Sequence, residues 1–272
     1  LSNYLNPKFI LNLSLVAENF YLNKEYDKAT KVLKNFDKKY EFYYWFRSKK
    51  DAQIIIKKNG YDEGIDFINS KFSKIDNPNI KIIFDIANFY KNSKNYEKAI
   101  MYYSKIISLL SNNPEVKSDL LYRRGGSFER LGNYEKADED LLNSLKINPD
   151  DAYVLNYLAY SWLERDYKID EAMEMLKKAY DLRSNDPYIT DSIGWAYYLI
   201  ENYIEAEKYL KKAVELMPED ATVNDHYGDI LWKLNRNMQA RYFWNYVLSL
   251  DNADEEIKQK INIKILEGLK NS

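Results

Sequence analysis

The sequence has no cysteine, a single histidine and few residues that break helices. Without cysteine, the 272-residue chain has no disulfides, thiolate zinc sites or cysteine nucleophiles. The one histidine, His226, excludes most histidine-based metal centres and weakens the case for a Ser-His-Asp triad. Only 8 glycines and 6 prolines argue against a sandwich or barrel, because those folds need many turns. The composition favours long helices.

Long apolar runs are missing as well. No uncharged stretch reaches the roughly 18 apolar residues of a transmembrane helix, so we expect no direct membrane span. The chain begins at Leu1 rather than Met and shows no signal peptide, so we expect a mature or trimmed form. Localisation therefore stays open. It is periplasmic or outer-membrane-associated if a missing N-terminus carries an export or lipoprotein signal, and cytoplasmic otherwise.

Aromatic and charged residues are abundant and unevenly placed. The chain contains 26 Tyr, 11 Phe and 5 Trp, and its net charge is −2. Residues 1–130 carry 23 basic and 15 acidic side chains, a net charge of +8, whereas residues 131–272 carry 17 and 27, a net charge of −10. Because nucleic-acid binding needs a dominant basic surface, an overall acidic chain predicts no nucleic-acid partner.

Small residues recur in two coupled series, and these series set the fold. The first series is Ala17, Ala52, Ala87, Gly125, Ala159, Gly194 and Gly228. The second follows each member by twelve or thirteen residues and is Ala29, Gly64, Ala99, Ala137, Ala172, Ala206 and Ala240. Small residues are needed where two antiparallel helices cross closely. The pattern predicts seven helix–turn–helix units.

Each unit repeats the same local signals. A short polar turn follows the first helix, and an aromatic residue then opens the second helix, at Tyr26, Tyr61, Tyr96, Tyr134 and Tyr203. Residues 114–117, and one residue before Ala172, are interpreted as insertions in turns. Residues 255–269 predict a final helix that covers the last apolar face of the repeat array.

These units resemble the tetratricopeptide repeat, which is 34 residues long. Residues 187–220 match its pattern with Gly194, Tyr197, Ala206 and Pro218. The resemblance implies an all-α, right-handed α-solenoid of about seven repeats in one domain, residues 1–254, with a C-terminal capping helix and tail at 255–272. The repeats are placed at about 10–43, 45–78, 80–113, 118–151, 152–186, 187–220 and 221–254.

The last three repeats carry a narrower resemblance. The segments 191–198 and 225–232 are similar to bacterial tetratricopeptide repeat proteins that include outer-membrane lipoprotein adaptors of carboxy-terminal processing proteases. The family's carboxylate clamp is broken here. Lys49 and Gln53 fall at the fifth and ninth positions of the repeat 45–78, but Asp85 and Asp119 stand where Asn and Lys are needed.

The family resemblance also implies a binding groove lined by the first helix of each repeat. Transferred to this sequence, the groove residues are Tyr122, Asn156, Tyr160, Tyr188, Asp191, Trp195, Tyr198, Asp225, Asp229 and Trp232. Tyr and Trp dominate binding hot spots because they bury much area with little loss of side-chain entropy. His226 is interpreted as a residue of the interface between repeats.

We therefore predict a non-catalytic scaffold or adaptor that binds a protein or peptide segment and needs no cofactor. A more specific version of this prediction places it at a bacterial cell envelope. No catalytic constellation stands out in the sequence. One alternative is a structural module that associates with itself. Another is a metal-binding or enzymatic use of Asp191, Asp225 and Asp229, which lack the amide and carbonyl oxygens that usually complete a Ca²⁺ or Mg²⁺ site.

Overall fold

The structure, a computed structural model, describes residues 10–36, 41–110, 113–250 and 253–269. These residues form helices joined by short turns, with no strand among them. The helices are α1 (Ile10–Leu22), α2 (Tyr26–Leu33), α3 (Glu41–Asn59), α4 (Tyr61–Phe72), α5 (Ile80–Asn92), α6 (Tyr96–Leu109), α7 (Pro114–Arg130), α8 (Tyr134–Ile147), α9 (Ala152–Leu163), α10 (Ile169–Leu182), α11 (Pro187–Leu199), α12 (Tyr203–Leu216), α13 (Ala221–Lys233), α14 (Asn237–Ser249) and α15 (Glu255–Glu267). The predicted all-α fold is confirmed.

The chain forms two compact units, residues 1–137 and 138–272, and the boundary falls within α8. In the N-terminal unit, α1 packs on α2, α3 on α4, and α5 on α6. In the C-terminal unit, the pairs are α9 with α10, α11 with α12, and α13 with α14, and α15 packs on α14. Helices that follow each other in sequence are therefore neighbours in space, as expected of a repeat array.

Both series of small residues are buried. Two close approaches of a second helix to a first helix are at Gly194 and Gly228. A Cβ added to Gly194 would lie 2.8 Å from Leu210 Cγ, and one added to Gly228 would lie 2.3 Å from Trp244 Nε1. Large side chains of the second helices thus fill the space that the first helices leave open, and this packing explains the spacing seen in the sequence.

The turn inside six of the seven repeats has one backbone form. A residue with positive φ ends the first helix at Lys24, Lys94, Gly132, Asp166, Glu201 and Asn235. The next residue donates its N–H to a carbonyl five positions earlier, as from Asn95 to Tyr90 and from Asn202 to Tyr197, at 2.9 Å in both. This hydrogen bond satisfies a carbonyl group that would otherwise have no partner at the end of the helix. Only one of the six positions is glycine, which is why the turn is hard to find by glycine spacing.

The structure corrects the interpretation of residues 114–117. They lie in the first turn of α7 rather than in a loop. The side chain of Asn113 accepts a hydrogen bond from the Val116 N–H, and Pro114 takes the first helical position. Proline suits that place because its missing N–H would have no helical partner there. The apparent insertion therefore lengthens a helix.

The final helix, α15, covers the C-terminal end of the core. Ile261 is fully buried, and Ile257, Ile265 and Leu269 pack against the cluster that surrounds Trp244. The predicted capping role is therefore seen in the packing. The outer side of α15 is less polar than a cap requires, because Ile263 and Leu266 are 52% and 81% exposed.

Candidate functional site

The candidate site is built by the first helices of three successive repeats in the C-terminal unit. Helix α11 contacts both α9 and α13. Each of the three helices has a polar residue at its fifth position, namely Asn156, Asp191 and Asp225. Helices of the same repeat type place equivalent positions on the same face, so these three residues follow one another along the unit.

Asp191 and His226 form a buried pair between α11 and α13. Nδ1 of His226 donates a hydrogen bond to Oδ2 of Asp191 over 2.8 Å. The residues are 6% and 8% exposed, so water screens the pair little. The predicted role of His226 at the interface between repeats is confirmed. The other carboxylate oxygen of Asp191, Oδ1, is buried and has no hydrogen-bond partner.

The pKa of His226 is raised above its usual value by its acidic surroundings. Burial opposes the charged ring, but the Asp191 carboxylate outweighs that effect through its charge and its hydrogen bond. Asp225 and Asp229 add to the same rise in the pKa. The imidazole therefore carries its proton to a higher pH than a histidine in water does.

A stack of three rings lies beside this pair. The Trp195 ring is nearly parallel to Tyr198, with centroids 4.5 Å apart, and to His226, with centroids 4.0 Å apart. Nε1 of Trp195 donates to the Glu164 carboxylate at 2.9 Å. Both Trp195 and Tyr198 are half-buried. The indole is therefore held in place by a hydrogen bond and two ring contacts while part of it still faces solvent.

Lys264 of α15 binds the two carboxylates of α13. Its ammonium lies 2.6 Å from Asp225 Oδ1 and 2.8 Å from both carboxylate oxygens of Asp229. Trp244 Nε1 also donates to Asp229, over 3.1 Å. Burial and the Asp225 charge still raise the pKa of Asp229 to about 6, against the effect of Lys264. The pKa of Lys264 is raised as well, because the two carboxylates outweigh its burial.

Three of the predicted groove residues are engaged by contacts within the chain. Asp225 and Asp229 are engaged by Lys264, and Trp232 packs against Trp244 with ring centroids 5.4 Å apart. The backbone at Gly268 lies against the Trp232 ring, since a Cβ there would come 2.0 Å from Cζ2. The sequence interpretation missed this because it treated the capping helix as a lid for apolar surface only.

The metal-binding alternative is not supported by this arrangement. A cation between Asp225 and Asp229 would need the space that the Lys264 ammonium fills. Asp191, the third member of that set, is turned toward His226 instead. Over the described ranges, no group of three or more His, Asp or Glu side chains is arranged to hold a metal ion.

The other predicted groove residues have varied surroundings. Tyr188 is 54% exposed at the start of α11. Tyr160 is half-buried on α9, and Oδ1 of Asn156 on the same helix is buried without a partner. Tyr122 is half-buried on α7 and belongs to the N-terminal unit. Binding by these residues, and by Asp191, Trp195 and Tyr198, stays a prediction.

Residues of the broken carboxylate clamp line a cavity in the N-terminal unit. The Lys49 ammonium lies 3.0 Å from both oxygens of Asp85, and Trp45 Nε1 donates to the same carboxylate at 2.9 Å. The cavity has a volume of about 290 Å³ and is lined by Tyr21, Lys49, Gln53, Ile56, Lys57, Tyr61, Asp85, Asn88, Phe89 and Asn92. Asp85 thus neutralises the lysine that the clamp would use.

Two contacts of the site could have been suspected from spacing alone. Glu164 precedes Trp195 by 31 residues, and Lys264 follows Asp229 by 35, so each pair is about one repeat apart. Such pairs are candidates for contact between neighbouring repeats. In the parts of the chain that the structure describes, no helix is long and apolar enough to cross a bilayer.

Known proteins with tetratricopeptide repeats are similar to parts of this chain. The model of the tetratricopeptide repeat family matches residues 80–113, 118–151 and 192–220. A TPR repeat-containing protein of Pseudomonas aeruginosa is 29% identical over 160 residues, which are 59% of this chain and 26% of the relative. One from Methanocaldococcus jannaschii is 38% identical over 85 residues, 31% of this chain and 14% of the relative. The chain thus spans about a quarter or less of these curated relatives.

A solved structure supports the same conclusion about the fold. The crystal structure of a tetratricopeptide repeat protein from Parabacteroides merdae matches with a TM-score of 0.60 and 16% identity. The match covers 82% of this chain and 88% of that one. At this identity the likeness shows the fold alone. Three segments of the chain thus match the tetratricopeptide repeat, and the all-α fold is that of a repeat solenoid.

Proposed function

We propose that this protein is an interaction scaffold that binds a segment of another protein along α9 and α11, the first helices of two successive repeats. The observation that carries the proposal is the stack of Tyr198, Trp195 and His226. Rings that are already fixed lose little entropy on binding, and partly exposed Trp and Tyr side chains are typical hot spots.

The surroundings of the stack fit a peptide-binding surface. Tyr153 and Tyr188, at the starts of α9 and α11, are 45% and 54% exposed, and Leu199 at the end of α11 is 40% exposed. Exposed aromatic and aliphatic side chains therefore lie near the Asp191–His226 pair, at both ends of α11. A surface of this kind suits an extended segment or one face of a helix.

Catalysis is not part of the proposal. Proteins built from these repeats are in general non-catalytic scaffolds. Asp191 forms an ion pair with His226, and Asp225 and Asp229 form ion pairs with Lys264.

A finer version of the proposal places the protein at a bacterial cell envelope, as an adaptor for a processing protease. It is supported by the similarity of residues 191–198 and 225–232 to such adaptors. Fractionation of the source cells tests this version. We expect the protein in the periplasmic or outer-membrane fraction, and a purely cytoplasmic protein would contradict it.

Affinity capture with matched variants tests the main proposal. Tyr188→Ala removes an exposed ring from the proposed surface, and Tyr242→Ala removes one from a second helix, where Tyr242 is 69% exposed. We expect Tyr188→Ala to reduce the captured partner at least tenfold and Tyr242→Ala to leave it unchanged. Equal capture by both variants would contradict the proposed surface.

Self-association is a second candidate function because the second helices expose apolar side chains. Ile204 is 78% exposed and Met238 is 85% exposed, in addition to Tyr242. Light scattering across a concentration series distinguishes the two functions. A mass that rises with concentration in the wild type and not in Met238→Glu would support self-association.

A further inference from the structure

The cavity of the N-terminal unit has no part in the proposed function. It is lined by residues of α1, α3 and α5, the first helices of three successive repeats, and by the first residue of α4. Its volume of about 290 Å³ is at the lower end for ligand sites, which typically measure about 300–1,000 Å³. Lys57 and Asn92 of the lining are exposed, so the cavity is open to solvent. A small group can therefore enter it while the chain stays folded.

The charged pair in the cavity is already satisfied within the chain. The Asp85 carboxylate lies 3.0 Å from the Lys49 ammonium at both oxygens and accepts a hydrogen bond from Trp45 Nε1 at 2.9 Å. A ligand carboxylate would compete with Asp85 for Lys49, and a ligand cation would compete with Lys49 for Asp85. Lys57 is exposed, so water already solvates its ammonium. An uncharged ligand avoids both competitions.

Three amide side chains of the lining have hydrogen-bonding capacity left. The Tyr103 hydroxyl donates to Asn88 Oδ1 over 2.7 Å, which leaves the NH₂ group of Asn88 for another acceptor. Gln53 and Asn92 have no hydrogen-bond partner in the part of the chain that the structure describes. A carboxamide offers both donors and an acceptor, and each peptide group offers one of each. The amides therefore match an uncharged peptide backbone.

The apolar part of the lining suits an aromatic side chain. It consists of three rings, from Tyr21, Tyr61 and Phe89, together with Ile56. Ile56 is held in place by close packing, since a Cβ added to Gly64 would overlap its Cγ1 atom. Aromatic pairs gain more than the area they bury, and a wall that is already formed loses little entropy on binding. One aromatic ring is thus the favoured occupant.

We propose that this cavity binds an uncharged peptide segment of a protein partner. One aromatic side chain of the segment lies in the cavity, and its peptide groups bond to Gln53, Asn88 and Asn92. The ligand is thus neutral, unlike the carboxylate that an intact clamp would bind. The inference does not depend on the proposed surface along α9 and α11, because that surface belongs to the other unit.

The test uses three small probes with the full chain. N-acetylphenylalanine amide has the ring and two peptide groups, N-acetylphenylalanine replaces the terminal amide by a carboxylate, and N-acetylalanine amide lacks the ring. Binding is followed by NMR through the side-chain NH₂ signals of Gln53, Asn88 and Asn92. We expect a Kd of about 1 mM for the phenylalanine amide, which has about 15 non-hydrogen atoms. The acid should bind at least fivefold more weakly and the alanine amide at least tenfold more weakly.

Variants then locate the contact. Gln53→Leu removes one amide at nearly constant volume and should weaken binding of the phenylalanine amide at least threefold. Gln259→Leu, the same change at an exposed site on α15, should leave binding unchanged. Asn92→Trp should block the cavity and abolish binding, while its thermal melt matches that of the wild type because Asn92 is exposed. It keeps the test decisive if Gln53→Leu is unstable.

Four outcomes would overturn the inference. They are no saturable binding of the phenylalanine amide at about 20 mM, well above the expected Kd, equal binding of the alanine amide, equal or tighter binding of the acid, and equal effects of Gln53→Leu and Gln259→Leu. Tighter binding of the acid would show that the cavity still takes a carboxylate. Partner capture by Tyr188→Ala tests the proposed function separately, because Tyr188 lies outside this cavity.

Discussion

The buried imidazole of His226 contacts both the aromatic stack and the carboxylates of the site. It bonds to Asp191, stacks on Trp195, and lies near two further carboxylates. The sequence predicted its place at the interface between repeats rather than a role as a general base. Its partner and its protonation could not be predicted, because they depend on which rotamers the packed side chains adopt.

His226 is the only histidine, so its titration can be followed by proton NMR without assignment. We expect its pKa to lie above the usual value of 6.5, because the Asp191 carboxylate favours the charged ring. Asp191→Asn should bring the pKa down, since burial then acts with less opposition. A pKa below 6.5 in the wild type, or one that Asp191→Asn leaves unchanged, would contradict the pairing.

The same groups predict how stability depends on pH. A raised pKa of His226 means that the folded state binds the proton more tightly, so its stabilisation is complete below about pH 6.5 and is lost as pH rises through the folded pKa. The raised pKa of Asp229 acts in the same direction between about pH 4 and 6. Denaturant melts at pH 6 and pH 9 should show a larger fall in unfolding free energy for the wild type than for Asp191→Asn.

At the scale of helices, most of the fold followed from the sequence. The alanine and glycine series marked the helix crossings, and Tyr26, Tyr61, Tyr96, Tyr134 and Tyr203 are each the first residue of a helix. These features are local, and the small residues recur seven times and the tyrosines five times, so a mismatch in one repeat does not hide the pattern. What the sequence did not show was how α15 meets α13, because that contact occurs once and involves Lys264 rather than an apolar residue.

Replacement of the lysine in α15 tests the contact with α13. Lys264→Met should lower the unfolding free energy by about 3–5 kcal/mol, because it leaves two largely buried carboxylates without a cation. Lys260→Met on the same helix should cost less than about 0.5 kcal/mol, since Lys260 is exposed. The penalty of Lys264→Met should shrink in acid as the carboxylates protonate. Equal losses in the two variants would contradict the buried contact.

The crossing of α13 and α14 can be tested by a double-mutant cycle. Alanine is the better helix former by about 1 kcal/mol, but a Cβ on Gly228 would lie 2.3 Å from Trp244 Nε1. We expect Gly228→Ala to destabilise the protein by about 1–3 kcal/mol. The loss should be smaller in a Trp244→Phe background, where the ring is narrower. Additive losses would indicate that the two residues do not contact each other.

At the scale of the whole molecule, the two units differ in charge. Residues 1–137 carry 24 basic and 16 acidic groups, a net charge of +8, and residues 138–272 have a net charge of −10. If the C-terminal unit receives a basic segment, raising the salt from 0.05 to 0.5 M should weaken partner binding, because screening shortens the range of attraction to about 4 Å. Affinity that is independent of salt would contradict a cationic partner.

Photo-crosslinking tests the central claim, that a partner lies along the first helices of the C-terminal unit, most directly. Benzoylphenylalanine replaces Tyr188 on α11 in one variant and Tyr242 on α14 in another, and both positions are more than half exposed. After irradiation in the source cells, adducts are identified by mass spectrometry. If a partner lies along these helices, we expect a defined adduct from position 188 and none from position 242. A defined adduct from position 242 alone would contradict it.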